Sequence, residues 1–117
     1  MDLKAHLDQL VRAVDGAQGA VLLDATGELV VEAGPPDDRQ RLIGAYQGIG
    51  LSQAQKLAEQ YRLGGIDYVL CRYRRGQVIL RPLKDGYYLV LSLQPDANLA
   101  LGLHRSRLSR EHMNEEI

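Results

Sequence analysis

The sequence predicts an α+β fold with elements in the order α-β-β-α-β-β-β-α, one domain spanning residues 1–117. Three observations carry this reading. The stretch from Val14 to Gly34, VDGAQGAVLLDATGELVVEAG, joins a helix end to two apolar strands through one tight turn. A long helix-compatible run follows, from about Asp38 to Leu63. Three further apolar runs are then separated by short glycine-bearing turns, as consecutive antiparallel strands require.

Each element has a local reason. Leu3, Leu7, Leu10, Val11 and Val14 recur at helical spacing, with Lys4, Asp8 and Arg12 spaced for i,i+4 pairs on the outside and Gly16 as the expected C-terminal cap. Ala20 to Leu23 is an unbroken apolar run, the pattern of a strand covered on both faces. Asp24-Ala25-Thr26-Gly27 reverses the chain, with Gly27 free to take positive φ and Asp24 stabilising the turn, and 28–32 returns as the second strand. Gly34-Pro35-Pro36 breaks the chain, Asp37 or Asp38 caps the central helix, and Gly64-Gly65 stops it. Strands are expected over 66–74, 77–83 and 87–94, turned at Arg75-Gly76 and Lys84-Asp85-Gly86, and Pro95-Asp96 starts the last helix. Pro82 must sit where no ladder donor is needed.

Composition narrows the function classes. A net charge of −1 over 117 residues removes any global attraction to nucleic acid or anionic membrane. A single cysteine excludes an internal disulfide and no charged-plus-apolar leader is visible, so a reducing cytoplasm is the expected compartment. No apolar run approaches the roughly 20 residues a membrane span needs. With no Trp or Phe, six tyrosines supply all the aromatic core material. Charge is unevenly placed. Residues 24–38 hold Asp24, Glu28, Glu32, Asp37 and Asp38, whereas 62–84 hold Arg62, Arg72, Arg74, Arg75, Arg81 and Lys84 against Asp67. Solvated faces and charge-protected edge strands explain this better than a docking patch.

The Asp-x-x-Gly-Glu-Leu-Val hairpin, the element order over nearly the whole chain, and the closing segment DGYYLVLSLQPDANLALGLHR together resemble the Roadblock/dynein-light-chain superfamily, and its bacterial MglB-like branch in particular. The resemblance implies a five-stranded antiparallel sheet with helices on both faces, of the profilin-like type. It also implies a non-enzymatic homodimer that regulates a small Ras-like GTPase or serves as its platform, without a cofactor. Such a regulator promotes GTP hydrolysis by ordering the GTPase's own switch residues.

The central helix carries most of the functional information. At about 100° per residue, Leu42, Ile43, Tyr46 and Ile49 centre on one direction, and Leu51, Ala54, Leu57, Ala58 and Tyr61 centre roughly 80° away. Either Gly48-Ile49-Gly50 kinks the helix, or a straight helix covers its own sheet with one stripe and a second body with the other. Gly44, Gly48, Leu51 and Ala58 form a small, uncharged strip that would admit a second helix. The resemblance favours pairing through this helix and the neighbouring third strand, which would bring Arg72 and Arg74 near their symmetry copies. Candidate GTPase contacts are Arg41, Ser52, Gln55, Lys56 and Glu59 on the helix's outer flank.

No catalytic constellation is visible. Cys71 reads as a small buried hydrophobe, and His6, His104 and His112 fall on the terminal helices without metal-ligand spacing. Gly48-x-Gly50 neither follows a strand nor precedes a lysine, so it is not a phosphate loop. The last helix turns polar after Leu103, with a solvated face pairing Arg107 to Glu111 preferred over a docking arm, and a frayed end expected. The different-class alternative is a profilin-like sensory module that binds a small ligand between sheet and helix.

Overall fold

The computed structural model describes residues 2–35 and 38–117, so the expected break at Pro36 and cap at Asp37 lie outside the described residues. Helices α1 (Leu3–Ala13), α2 (Asp38–Gln60) and α3 (Leu99–Asn114) accompany strands β1 (Ala17–Leu23), β2 (Leu29–Ala33), β3 (Val69–Tyr73), β4 (Gly76–Pro82) and β5 (Tyr88–Leu93). The strands form one antiparallel sheet in the order β2-β1-β5-β4-β3, so β2 and β3 are its edges.

Alternation along the strands builds two cores from one sheet. Ala20, Leu22, Ile79, Leu89, Leu91 and Leu93 point toward α1 and α3, where they meet Leu7, Leu10, Val14 and Met113. Val21, Leu23, Val78, Leu80, Tyr88 and Val90 point the other way, toward Leu51 of α2. The unbroken Ala20–Leu23 run therefore feeds both faces, as its composition predicts.

Local chemistry sets the boundaries. The Asp2 side chain caps α1 by accepting from the Ala5 N–H at 2.8 Å. Helix α1 ends at Ala13, and Gly16, at φ 87°, bends the chain just beyond it rather than capping it. In the β1–β2 turn, Asp24 accepts from the Thr26 N–H and hydroxyl at 2.9 and 2.6 Å and from the Glu28 N–H at 3.0 Å, while Gly27 takes φ 88°. These bonds, the Thr26 hydroxyl's first, hold the Asp24 carboxyl below its ordinary range.

Four boundaries differ from the sequence reading. Helix α2 is stopped before the glycine pair: Arg62, at φ 55°, donates to Glu59 while the Leu63 N–H reaches the Ala58 carbonyl, the pattern of a Schellman cap on a non-glycine residue. Strand β3 begins at Val69 rather than Ile66, because Asp67 is drawn away by two arginines. The β3–β4 turn is Arg74-Arg75, with Gly76 already paired to Tyr73. Helix α3 starts after Asn98, whose side chain accepts from the Leu101 N–H, and not at Pro95-Asp96. Its far end is anchored rather than frayed: Met113 is fully buried, and Asn114 accepts from the Lys84 N–H at 2.9 Å.

Candidate functional site

Helix α2 runs unbroken for 23 residues, through Gly48-Ile49-Gly50. Its small strip does not face outward. A Cβ on Gly44 would stand 2.7 Å from Leu23 Cδ1, and one on Gly48 would stand 2.6 Å from Tyr88 Cζ. Leu51 is buried against the same sheet, Ala58 is buried as well, and the Tyr88 hydroxyl donates to the Gly44 carbonyl at 3.2 Å. The expectation that Gly44, Gly48, Leu51 and Ala58 line a surface for a second helix is therefore corrected. Gly44, Gly48 and Leu51 are contacts between α2 and its own sheet, and the glycines are there because β1 and β5 come so close.

The opposite side of α2 is the unusual one. Leu42, Tyr46, Ile49 and Leu57 are 62%, 70%, 59% and 54% exposed, and Tyr61 and Leu63 continue the apolar surface past the helix end. Positions 42, 46, 49, 53 and 57 share one helical face. Apart from the exposed Gln53 this face is apolar, and monomeric soluble proteins rarely leave so much apolar surface open. Beside it, a groove of about 870 Å³ runs between α2 and the sheet, lined by Leu42, Ile43, Tyr46 and Gln47 on one side and Tyr73 and Val78 on the other. Gln47 bridges its walls, donating to the Tyr73 hydroxyl and accepting from Cys71 Sγ at 3.3 Å. Cys71 is thus half-buried in a hydrogen-bonded setting, with no histidine among its bonded partners.

The polar flank of α2 behaves less uniformly than the sequence reading expected. Ser52, Gln55, Lys56 and Glu59 are exposed. Arg41 is committed elsewhere: it clasps Glu32 of β2 through two bonds, Nε–Oε2 being 3.1 Å, and lies 3.6 Å from Asp38. The Arg41 clasp depresses the Glu32 carboxyl below its ordinary range, and the same pairing raises the guanidinium. Arg72 is exposed on edge strand β3, and Arg74 lies in the turn rather than on the strand.

Sequence reasoning counted Arg81 with the basic surface, but its side chain is only 2% exposed. It donates to the Ser106 hydroxyl at 2.9 Å, to the Leu103 carbonyl at 2.7 Å and to Asp67 at 3.0 Å, beneath the Tyr68 ring at 5.1 Å. Arg110 shares the same carboxylate at 2.7 Å. The Arg110 bond, ahead of the coulombic pull of Arg81, holds Asp67 below the usual carboxylate range; desolvation pushes Arg81 down from its ordinary value. The clue in the sequence was position: Arg81 alternates with Gln77, Ile79 and Leu83, all facing α1 and α3. The cluster is structural, fastening β4, α3 and the approach to β3.

Among the described residues, no three His, Cys, Asp or Glu side chains gather around a point that would hold a metal, and no helix is long and apolar enough to cross a membrane.

Solved structures with the same fold span the whole chain. A Roadblock/LC7 domain from Streptomyces avermitilis superposes with a TM-score of 0.88 at 17% identity, covering 99% of this chain and 98% of that one. MglB of Myxococcus xanthus gives 0.86 at 15% identity, covering 97% and 93%. An MglB with tetrameric arrangement gives 0.85 at 16% identity, covering 97% and 85%. Comparison with curated proteins gave no match. The helix–hairpin–helix–meander order and the sheet it builds are thus those of a known domain, whose family model matches residues 3–92: the chain belongs to the Roadblock/LC7 domain family.

Proposed function

We propose that this chain acts as a homodimeric, non-enzymatic platform for a small Ras-like GTPase, biasing the GTPase's own switch residues. One observation carries the reading: Leu42 and Tyr46 of the exposed apolar face of α2 line the same groove as Tyr73 of edge strand β3. A second copy of the chain is the occupant that fits, because a two-fold axis beside β3 would pair two identical edges and bury two identical helix faces. The MglB solved with a tetrameric arrangement supports self-association. Arg72 and Arg74 would then approach their copies, and salt or an acidic partner would ease the repulsion. The groove beside α2 shares Leu42 and Tyr46 with this face, so pairing would close it; that favours the regulator over a small-ligand sensor.

The GTPase would dock on the polar flank of the paired helices, through Ser52, Gln55, Lys56 and Glu59, with Arg41 contributing only what its Glu32 clasp leaves free. The chemistry would remain the GTPase's, and the platform acts by binding one nucleotide state more tightly than the other.

The test measures binding of small Ras-like GTPases from the same organism, loaded with GDP or a non-hydrolysable GTP analogue, together with their hydrolysis rates. Preference for the GTP-like form, lost in a Lys56→Glu/Glu59→Lys variant, is the expected result. Equal affinity for both forms and an unchanged hydrolysis rate would defeat the regulator reading.

A further inference from the structure

On the opposite face of the sheet from α2, helices α1 and α3 enclose a cleft of about 410 Å³ lined by His6, Gln9 and Arg12 from one helix and Arg105, Ser109 and His112 from the other. We propose that this cleft binds a small phosphorylated ligand.

The charge of the lining is one-sided. Among the described residues, no carboxylate lines the cleft. Elsewhere on the same two helices cations are matched: Lys4 pairs with Asp8 at 3.1 Å, Arg107 with Glu111 at 3.7 Å and Arg110 with Asp67 at 2.7 Å. Arg12 and Arg105 are the exceptions, exposed and without a carboxylate partner among the described residues. The i,i+4 pairing of Asp8 with Arg12 that the sequence suggests is not made, since Asp8 is taken by Lys4. Two guanidinium groups are thereby left to one cleft, and a bidentate fork is the group best matched to phosphoryl oxygens.

The neutral lining adds donors. The His6 and His112 rings stand 5.6 Å apart between centroids, although they are separated by almost the whole sequence, and His6 is 8% exposed. Each imidazole has a ring N–H to donate, and the Ser109 hydroxyl and Gln9 amide add more. A monocarboxylate would use one fork and leave the rest idle, whereas a phosphoryl group, with three oxygens and up to two charges, can use donors from both helices. The volume lies within the roughly 300–1,000 Å³ of small-molecule sites and exceeds what one phosphate needs. The ligand therefore carries a second phosphoryl group or an organic portion. Because α2 lies across the sheet, occupancy would not compete with pairing.

The probe is inorganic pyrophosphate, titrated into the full chain while amide and imidazole resonances are followed by NMR. Saturable shifts centred on His6, Ser109 and His112 are expected. An Arg12→Glu/Arg105→Glu variant that keeps its circular dichroism should bind at least about tenfold more weakly, whereas Arg107→Glu, on the same helix but outside the cleft, should stay within about twofold. Shifts that never saturate, equal weakening in both variants, a short polyglutamate peptide binding more tightly than pyrophosphate, or binding to phosphatidylglycerol vesicles in place of pyrophosphate would each overturn the proposal.

Discussion

The two sides of α2 are both largely apolar and do opposite things. Toward the sheet stand Gly44, Gly48 and Leu51, the glycines allowing close approach; toward solvent stand Leu42, Tyr46, Ile49 and Leu57, large side chains more than half exposed. The lesson is that smallness marks where a helix is already packed, and bulk left exposed marks where a partner is missing. Reading the small strip as the intermolecular surface inverts the helix, because glycine permits close packing against a sheet of the same chain just as well as against a second helix.

That contrast can be broken most severely at Leu51. Leu51→Arg should abolish folding, since a long cation would be buried and unpaired between α2 and the sheet. Retained far-UV circular dichroism and a cooperative urea transition in that variant would put Leu51 back on the surface. On the other face of the sheet, Arg81→Ala should cost about 3 kcal/mol, because it opens a cavity and strips partners from Ser106, the Leu103 carbonyl and Asp67. Chemical denaturation measures it, and a loss under 1 kcal/mol would mean that Arg110 alone holds Asp67.

Two glycines two residues apart sharpen the contrast further. Gly48→Ala should destabilise by about 1–2 kcal/mol, as its Cβ meets the Tyr88 ring. Gly50→Ala has open space around it and should stabilise the helix by up to about 1 kcal/mol, provided it is measured on monomeric protein. Equal signs for the two would show that α2 does not sit as close to β5 as described.

Acid should act more weakly. Asp67 and Glu32 both have folded pKa values below their unfolded ones, so the stability they confer is present above the ordinary carboxylate range and is lost as pH falls through the depressed values. Because the Asp67 side chain is 60% exposed, its share should remain below about 1 kcal/mol. Urea midpoints followed from pH 6 to pH 2 should fall less steeply in Asp67→Asn than in the parent; identical slopes would remove Asp67 from the account.

The smallest effect on folding is expected on the outward face. Ile49→Glu should change monomer stability by no more than about 0.5 kcal/mol while abolishing self-association, so that light scattering reports the 13.0 kDa chain where the parent reports about twice that mass. A parent that stays monomeric at all concentrations would refute the pairing itself.

Much of this molecule was legible in its sequence. Periodicity of two and of 3.6 fixed the element order, and Asp24 with Gly27 fixed the first turn, because these signals arise from backbone geometry and bonds a few residues apart. The hairpin and the order also sufficed to resemble the right family. Tertiary structure decided what depends on neighbours distant in the chain. Which side of α2 is covered was settled by Leu23 and Tyr88, whether Arg81 is solvated by Ser106 and Asp67, and whether His6 meets His112 by the packing of α1 on α3. A local pattern specifies that a face is apolar or a side chain charged. Only the folded chain supplies the second body that buries the one or neutralises the other, and burial and pairing are properties of two bodies.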